Sequence, residues 1–582
     1  MSGTAIERIE QWVVVMFENR SFDSLLGHLP HIDAADGLRG REVSLPYPGG
    51  EVPVTPDATF NDPLPDPGEG YANVNVQLFG SYLPESNAGR SAYPIFPDFM
   101  EAPYNLPPGA GEPTMDGFAV DFHANFSWEK QRPPSAEEML TIGRVFTPET
   151  APVINALARE YAVFTRWFCE VPTCTFPNRS FYHCASSMGK VDNEAILNYA
   201  WDQRLPNLFD LLTERGIDWR GYYDPSQVVL DCAINLGGLH HIAEWKQHSG
   251  TREQFFADAA AGTLPPYTWF EPKLMFGELD DYHPPTDIRA AEQLLARVYE
   301  AVRSSPQWES TALLILFDEH GGCYDHVPPP AAPIPDDFSG EQDFEFDRFG
   351  VRVPAIVISP YTEQGTVVDS LFHTTSVLRT LREQLDLGPA LTNRDEAAPT
   401  LEVAFNRSEP RADRPAIAAL PWTAPAPPTE AEKKAAFGDA PDLGLLVAKD
   451  KEHVSQIGAA TLRNAARRFE QDLETCPAPP APPVSGSPTT SPATTACRSP
   501  AEGAGRGSSW YFVPEVPTTE CFSPIDRANC AVVTSTNYSD CSLAGECLLT
   551  VRFSVRPIRG IRSELDSAKP PNGAENRIPV AS

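Results

Sequence analysis

The chain has 582 residues, of which 41% are hydrophobic and 21% are charged, a composition that is typical of a globular protein and excludes a disordered or fibrous one. Its 45 basic and 79 acidic residues give a net charge of −34, which argues against the basic surface that nucleic-acid binding requires, so we predict no nucleic-acid partner. The same negative charge argues against strong attachment to anionic lipid surfaces.

The N-terminal residues show no targeting signal. No basic segment precedes a long apolar run there, and no stretch of 18 apolar residues occurs along the chain, so we expect neither a signal peptide nor a transmembrane helix. The first apolar run, Trp12 to Phe17, has the length of a buried strand. The expected location is the cytoplasm, or outside the cell after export by a route without a cleaved signal. The sequence leaves the oligomeric state unknown.

Three apolar runs are typical of strands that are buried on both faces of a parallel sheet. They lie at residues 13–17, 312–317 and 352–359. The segment 289–305 predicts a helix, since its apolar residues share one helical face, namely Ala291, Leu294, Leu295, Val298 and Val302. Alternating strands and helices predict a three-layer α/β/α domain with a mainly parallel sheet, in which ligands bind beyond the carboxyl ends of the strands.

A segment rich in proline, serine and threonine, residues 476–508, is typical of a linker. It divides the chain into a large domain, residues 1–475, and a small C-terminal module, residues 509–582. Strand-like runs at 511–516 and 548–555 favour a β module. Six of the 11 cysteines follow residue 475, as in a disulfide framework. The lack of a signal peptide conflicts with that interpretation, so disulfides and free thiols both stay open.

Polar side chains directly follow two of the predicted strands. Glu18 and Asn19 come after the first, and Asp318, Glu319 and His320 come after the second, before a Gly-Gly turn that permits close approach of the backbone. Carboxylate and amide oxygens with imidazole suit a divalent cation or a phosphate site. The density of polar groups at two strand ends favours a functional site over ordinary charged loops.

The loop 171–180 contains two prolines and several candidate nucleophiles, which are the hydroxyl groups of Thr173, Thr175 and Ser180 and the thiol of Cys174. In the same loop, Asn178 and Arg179 are candidates either for binding a phosphate or for holding the loop and a structural carboxylate. A further segment, 280–285, places His283 beside two carboxylates. Taken alone, each segment is more typical of a turn or of the start of a helix than of a site.

Four motifs, in their order and spacing, resemble the phosphoesterase family of bacterial phospholipases C, plant non-specific phospholipases C and an acid phosphatase. They are ENRSFD (18–23), TFPNR (175–179), DDYHPP (280–285) and DEHGGCYDHVPPP (318–330), and the resemblance covers about residues 10–385. It implies an alkaline-phosphatase-like α/β/α fold and the hydrolysis of phosphate esters through a hydroxyl nucleophile, which matches Thr175. The other implied site groups are metal ligands at Glu18, Asn19, Asp318 and Glu319, catalytic histidines at His283, His320 and His326, and phosphate contacts at Asn178 and Arg179.

The function that this resemblance implies is that of a phospholipase C, which releases diacylglycerol and a phosphorylated head group. A phosphomonoesterase like the acid phosphatase, and a weakly active binding or effector protein on the same fold, stay open as alternatives. We expect a divalent metal ion as cofactor, because a hydroxyl group is a weak nucleophile at neutral pH. The expected substrate is a phospholipid or a small phosphate ester, and peripheral membrane contact stays open through the aromatic-rich stretch 71–105.

The chain departs from the family pattern at Glu69. Family members often carry a histidine after an Asp-Pro-Gly segment, whereas here Asp66-Pro67-Gly68 is followed by glutamate. If that histidine donates a proton or contacts the phosphate, this chain is expected to be slower or to differ in substrate.

Overall fold

The computed structural model describes residues 4–80, 112–130, 132–193, 205–224, 247–274, 279–341 and 344–423. The chain divides into two units, Met1–Pro480 and Ala481–Ser582, and every described residue belongs to the first. The predicted linker, the predicted β module and the six cysteines that follow residue 475 lie outside the described residues, and what was predicted of them stays a prediction.

The described strands, numbered along the chain, are β1 (Gln11–Phe17), β2 (Ser44–Tyr47), β3 (Gly50–Pro53), β4 (Ala162–Phe164), β5 (Trp167–Phe168), β6 (Trp219–Tyr223), β7 (Ser249–Thr251), β8 (Tyr267–Phe270), β9 (Thr311–Phe317), β10 (Ile356–Ile358), β11 (Val367–Val368) and β12 (Phe372–His373). The described α-helices are α1 (Phe22–Leu26), α2 (Tyr71–Phe79), α3 (Phe118–Lys130), α4 (Ala136–Leu140), α5 (Pro152–Glu160), α6 (Thr175–Cys184), α7 (Leu208–Glu214), α8 (Arg252–Ala261), α9 (Ile288–Arg303), α10 (Thr375–Gln384) and α11 (Asn393–Ala397).

Eight of these strands form one sheet in the order β11-β4-β10-β9-β1-β8-β6-β7. Every neighbouring pair is parallel except those of β10, which runs antiparallel to both β4 and β9. The prediction of a mainly parallel sheet is confirmed, and β1 and β9 are its central strands, with all their residues buried.

The third predicted parallel strand, at 352–359, is wrong in direction and length. The structure has only the three residues of β10 there, and they run antiparallel. An apolar run indicates burial on both faces of a sheet but not strand direction, which depends on the connection. Within the described residues between β9 and β10 there is no crossover helix, so the chain re-enters the sheet from the edge at which it left.

Helices cover both faces of the sheet, as alternate residues of β8 show. Trp269 packs against Tyr182 of α6, with ring centroids 5.0 Å apart. Phe270 points to the opposite face and packs against Phe255 of α8, with ring centroids 4.8 Å apart. The three-layer α/β/α prediction is therefore confirmed. The predicted helix at 289–305 is α9, and the five apolar residues of its predicted face are buried.

The aromatic-rich stretch 71–105 was a candidate for lipid contact, and its first part is core instead. Residues 71–79 form α2, in which Tyr71, Val74, Val76 and Leu78 are buried. Residues 81–105 lie outside the described residues. In the part of the chain that the structure describes, no helix has the length and apolar character to cross a membrane.

Candidate active site

Three neighbouring strands, β9, β1 and β8, each end in a carboxylate at the same edge of the sheet. Phe17 pairs with Phe317 at the ends of β1 and β9, so the next residues, Glu18 and Asp318, lie side by side. On the other side of β1, β8 ends at Phe270 and is followed by Glu271. Glu271 was not predicted as a site residue, although it directly follows an apolar run, because that run of four residues was not identified as a strand.

Arg179 of α6 binds all three carboxylates. Its Nε lies 3.0 Å from Asp318 Oδ2, its Nη1 lies 2.8 Å from Glu271 Oε1, and its Nη2 lies 3.6 Å from Glu18 Oε1. The guanidinium is fully buried; burial alone would lower its pKa, but Asp318, Glu271 and Glu18 together raise it. Arg179 is therefore a permanent countercharge within the carboxylate cluster.

The remaining negative charge still shifts the titration of two carboxyl groups. Burial and repulsion from Glu18 raise the pKa of Asp318 to about 7, because together they exceed the lowering effect of Arg179. Burial and the nearby charges of Glu69 and Asp318 raise the pKa of Glu319 well above its usual range. An additional positive charge at this place would relieve both groups.

Asn19 takes an unusual backbone conformation beside the Gly-Gly turn. Its φ is +57°, in the left-handed region that asparagine tolerates better than most residues. A Cβ atom on Gly321 would lie 2.5 Å from the carbonyl oxygen of Asn19, so only glycine lets the two strand ends approach this closely. The predicted role of the Gly-Gly turn fits this contact.

Two buried oxygens in this region, Asn19 Oδ1 and Glu319 Oε1, have no hydrogen-bond partner among the described residues. Buried polar atoms are normally paired, so unpaired oxygens on neighbouring residues indicate a place for a positively charged ligand. Oxygen donors of this kind suit Mg²⁺, Ca²⁺ or Mn²⁺ better than a soft metal, whereas the nearby carboxylates of Glu18 and Asp318 are already paired with Arg179.

Thr175 is the first residue of α6, and Asn178 holds the loop before it. The Asn178 side chain accepts a hydrogen bond from the amide of Val171 and donates to the carbonyls of Val171, Thr173 and Cys174. These contacts support the loop-holding alternative for Asn178. Arg179 lies four residues, about one turn, after Thr175 on the same helical face. Because Arg179 contacts Glu18 and Asp318, this face of α6 is directed to the strand ends.

Of the candidate nucleophiles in this loop, Thr175 alone has a hydroxyl group without a hydrogen-bond partner among the described residues. Thr173 donates to the carbonyl of Val191 at 2.5 Å, and Ser180 donates to the carbonyl of Ser186 at 2.7 Å. Burial, with the nearby charge of Glu69, raises the pKa of the Cys174 thiol well above its usual range.

His283 lies within contact of Asn19. Its Nδ1 is 2.6 Å from the carbonyl of Pro284, which fixes the proton on Nδ1, and its Nε2 is 2.8 Å from Asn19 Nδ2. Nε2 therefore has a lone pair that is directed toward the asparagine. The preceding residue, Tyr282, anchors this segment, since its hydroxyl donates to Glu292 of α9 at 2.6 Å.

The other two predicted histidines have different surroundings. Burial lowers the pKa of His320 to about 3, so the ring is neutral, and its Nε2 lies 2.8 Å from Gln77 Oε1. Both ring nitrogens of His326 contact residues outside the proposed site: Nδ1 is 2.6 Å from Asp23 Oδ2, and Nε2 is 3.0 Å from the carbonyl of Ala35. These contacts support a structural role for His326.

His326, Asp23 and Asp325 also form a group with metal-ligating atoms close together. Arg352 already occupies it, at 3.1 Å from Asp23 Oδ1 and 2.9 Å from Asp325 Oδ1. Since a buried guanidinium neutralises these carboxylates and both ring nitrogens of His326 already have partners, the group is better explained as an ion-pair cluster than as a metal site.

Glu69, where the chain departs from the family pattern, lies inside the site. Its carboxylate accepts a hydrogen bond from Asn19 Nδ2, and its Oε2 is 3.7 Å from His283 Nε2. Asp66, Glu69 and His283 form a second group of atoms that are close enough together to ligate a metal. A carboxylate thus stands where the resemblance led us to expect an imidazole.

Comparison with known proteins gives consistent matches. A model of the Phosphoesterase family matches residues 9–388. Non-specific phospholipase C1 of Arabidopsis thaliana is 35% identical over 430 residues, which cover 70% of this chain and 73% of the plant protein. Non-specific phospholipase C6 of the same plant is 35% identical over 452 residues, which cover 74% of this chain and 78% of that protein. Phospholipase C B of Mycobacterium tuberculosis is 27% identical over 321 residues, covering 47% and 60%.

Proposed function

Because this chain belongs to the phosphoesterase family and is a phosphoric ester hydrolase, we propose that the site at the ends of β9, β1 and β8 is that of a phospholipase C with Thr175 as nucleophile. The observation that carries the proposal is the position of Thr175. Its hydroxyl group lies at the start of α6, has no hydrogen-bond partner among the described residues, and shares a helical face with the arginine that binds Asp318 and Glu18.

In the first step the Thr175 oxygen attacks phosphorus and the bond to the diacylglycerol oxygen breaks. The positive end of the α6 dipole lies at Thr175 and favours a bound phosphate there. The proton of Thr175 passes to His283 Nε2, which exchanges its contact with Asn19 Nδ2 for this proton, while Nδ1 stays with the carbonyl of Pro284. That proton then moves to the departing alcohol.

In the second step water attacks the phosphothreonine and releases the phosphorylated head group. His283 Nε2 takes a proton from the water, and Thr175 recovers one as its bond to phosphorus breaks. Glu18, Asn19, Asp318 and Glu319 would hold a divalent cation, which when bound supplies the positive charge that favours the ionised threonine oxygen and offsets the charge of the phosphoryl group.

Removal of divalent cations is expected to abolish turnover, and cation affinity is expected to rise with pH. Burial raises the pKa of Asp318 to about 7, so this ligand holds a proton below pH 7 and must release it to bind a cation. The dissociation constant for Mn²⁺, measured by equilibrium dialysis, should therefore fall between pH 6 and pH 8. Full activity of a preparation shown by metal analysis to be metal-free would refute the role of the cation.

The proposal is tested by assays of the full chain on three substrates side by side. A phospholipase C releases diacylglycerol from phosphatidylcholine vesicles and nitrophenol from p-nitrophenyl phosphorylcholine. A phosphomonoesterase cleaves p-nitrophenyl phosphate but releases no diacylglycerol, and a binding protein turns over none of the three. The second and third results would each contradict the proposed function.

We also propose that residues 1–475 suffice for catalysis, since every site residue named above precedes residue 330 and the segment 476–508 has the composition of a linker. Truncation after Glu474 is expected to leave kcat/KM on p-nitrophenyl phosphorylcholine within about twofold of that of the full chain, given that flexible linkers carry no packed core. A truncated protein that has the circular dichroism spectrum of a folded domain but lacks turnover would show that the boundary is wrong.

A further inference from the structure

Glu69 places an additional carboxylate among the groups that we assign to the phosphate and the cation. It contacts Asn19, and it lies 3.7 Å from the nitrogen of His283 that takes part in the proposed proton transfer. Its charge also contributes to the raised pKa values of Glu319 and of Cys174, the residue directly before Thr175. Glu69 is thus close both to the proposed cation ligands and to the start of α6.

The loop that carries Glu69 is held in one position from two sides. Gln77 of α2 donates to the carbonyl of Gly68 at 2.6 Å. A Cβ atom on Gly68 would lie 2.1 Å from Asn73 Nδ2, and a Cβ atom on Gly322 would lie 2.5 Å from the Gly68 carbonyl oxygen. Both distances are too short for a side chain, so the close packing at these two positions requires glycine. The backbone before Glu69 is therefore held in place beside the site.

We propose that Glu69 makes this site select phosphodiesters over phosphomonoesters, an inference that rests on the proposed function. A phosphomonoester loses its second proton with a pKa of about 6 and carries close to two negative charges at pH 8, whereas a diester carries one. Repulsion from a fixed carboxylate a few ångströms away grows with the charge of the ligand, and it is strong in a partly buried site where the effective dielectric constant is low. The monoester is therefore disfavoured more than the diester.

The test compares two esters with the same leaving group, p-nitrophenyl phosphate and methyl p-nitrophenyl phosphate, at pH 8 in the full chain. The wild-type protein should have the higher kcat/KM on the methyl diester. Glu69→Gln removes the charge and keeps the size of the side chain, and it should lower the diester-to-monoester ratio of kcat/KM by about tenfold, the effect of one charge a few ångströms away. Glu69→Asp keeps the charge and should keep the preference.

Glu10→Gln is the matched control, since Glu10 is an exposed carboxylate before β1, at the opposite edge of the sheet and about 25 Å away along an extended strand. It should leave the ratio unchanged. A second measurement needs no turnover: both inorganic phosphate, mainly a dianion at pH 8, and the monoanion dimethyl phosphate should bind E69Q more tightly than wild type, and the gain should be about tenfold larger for inorganic phosphate.

The outcomes separate this inference from the proposed function. If wild type cleaves neither ester, the proposed function fails. If wild type cleaves the diester but E69Q keeps the wild-type ratio, the role of Glu69 is wrong and the site assignment stands. Should E69Q lose turnover on both esters, phosphate affinity decides, and equal affinity in wild type and variant would overturn the inference.

Discussion

Thr175→Ala is expected to lower kcat by about 10³- to 10⁶-fold, as removal of a nucleophile does in enzymes that form a covalent intermediate. The fold should persist, because the hydroxyl group makes no hydrogen bond to the described residues. Stopped assays on p-nitrophenyl phosphorylcholine measure the loss, and thermal unfolding checks the fold. Trapping of the wild-type protein with acid during turnover should yield a phosphorylated peptide that contains Thr175.

Two variants control for the choice of nucleophile. Thr175→Ser keeps a hydroxyl group and should retain part of the activity, although serine is held less firmly than a β-branched threonine. Cys174→Ala should stay active, because the pKa of this buried thiol is raised and little of it is ionised. An active T175A protein together with an inactive C174A protein would contradict both the nucleophile and the resemblance at this position.

Arg179→Met is expected to lower the free energy of unfolding by about 3–5 kcal/mol, the usual effect of removing one partner from a buried ion pair. Without the guanidinium, Glu18, Glu271 and Asp318 lie together with no countercharge. Urea unfolding at pH 7 measures the change. The difference from wild type should become smaller as the pH is lowered toward 5, because the unpaired carboxylates then bind protons and no longer repel one another.

Arg8→Met provides the matched control, since Arg8 is exposed and its nearest carboxylate, that of Glu409, is 3.9 Å away and also exposed. Its loss should change the free energy of unfolding by less than about 1 kcal/mol. The loss of unfolding free energy in Arg179→Lys should lie between those of R179M and R8M, because a single ammonium group keeps the charge but lacks the planar guanidinium that reaches three carboxylates. Equal stabilities of R179M and R8M would refute the role of Arg179 as a countercharge.

The strand ends of the site could be predicted because two apolar runs carry their polar residues immediately behind them. Once 13–17 and 312–317 are strands of one parallel sheet, their carboxyl ends meet, and neighbouring strands bring Glu18 and Asp318 together. Local sequence is enough to identify these two runs as buried strands, whereas their parallel direction depends on the long connection between them. Glu271 would have been predicted in the same way if residues 267–270 had been identified as a strand.

The partners of the individual side chains could not be predicted in the same way. From the sequence, Arg179 could bind either a phosphate or a structural carboxylate. Its carboxylate partners lie up to 161 positions away in the chain, and only the packing of α6 on the strand ends brings them into contact. His326 and His320 are six residues apart in one motif, yet the Gly-Gly turn between them sends one to Gln77 and the other to Asp23. The spacing of a motif does not show which of its histidines the turn directs away from the site.

The central position of β1 has a consequence for the order of events during synthesis. β1 is the first strand to leave the ribosome, but both of its neighbours, β8 and β9, come about 250 or more residues later. At roughly 5–20 residues per second, translation takes about 10–50 seconds to supply the first of them. Throughout that time the apolar run at residues 12–17 lacks both of the strands with which it pairs in the folded protein, and exposed apolar segments are the ones that chaperones shield from aggregation.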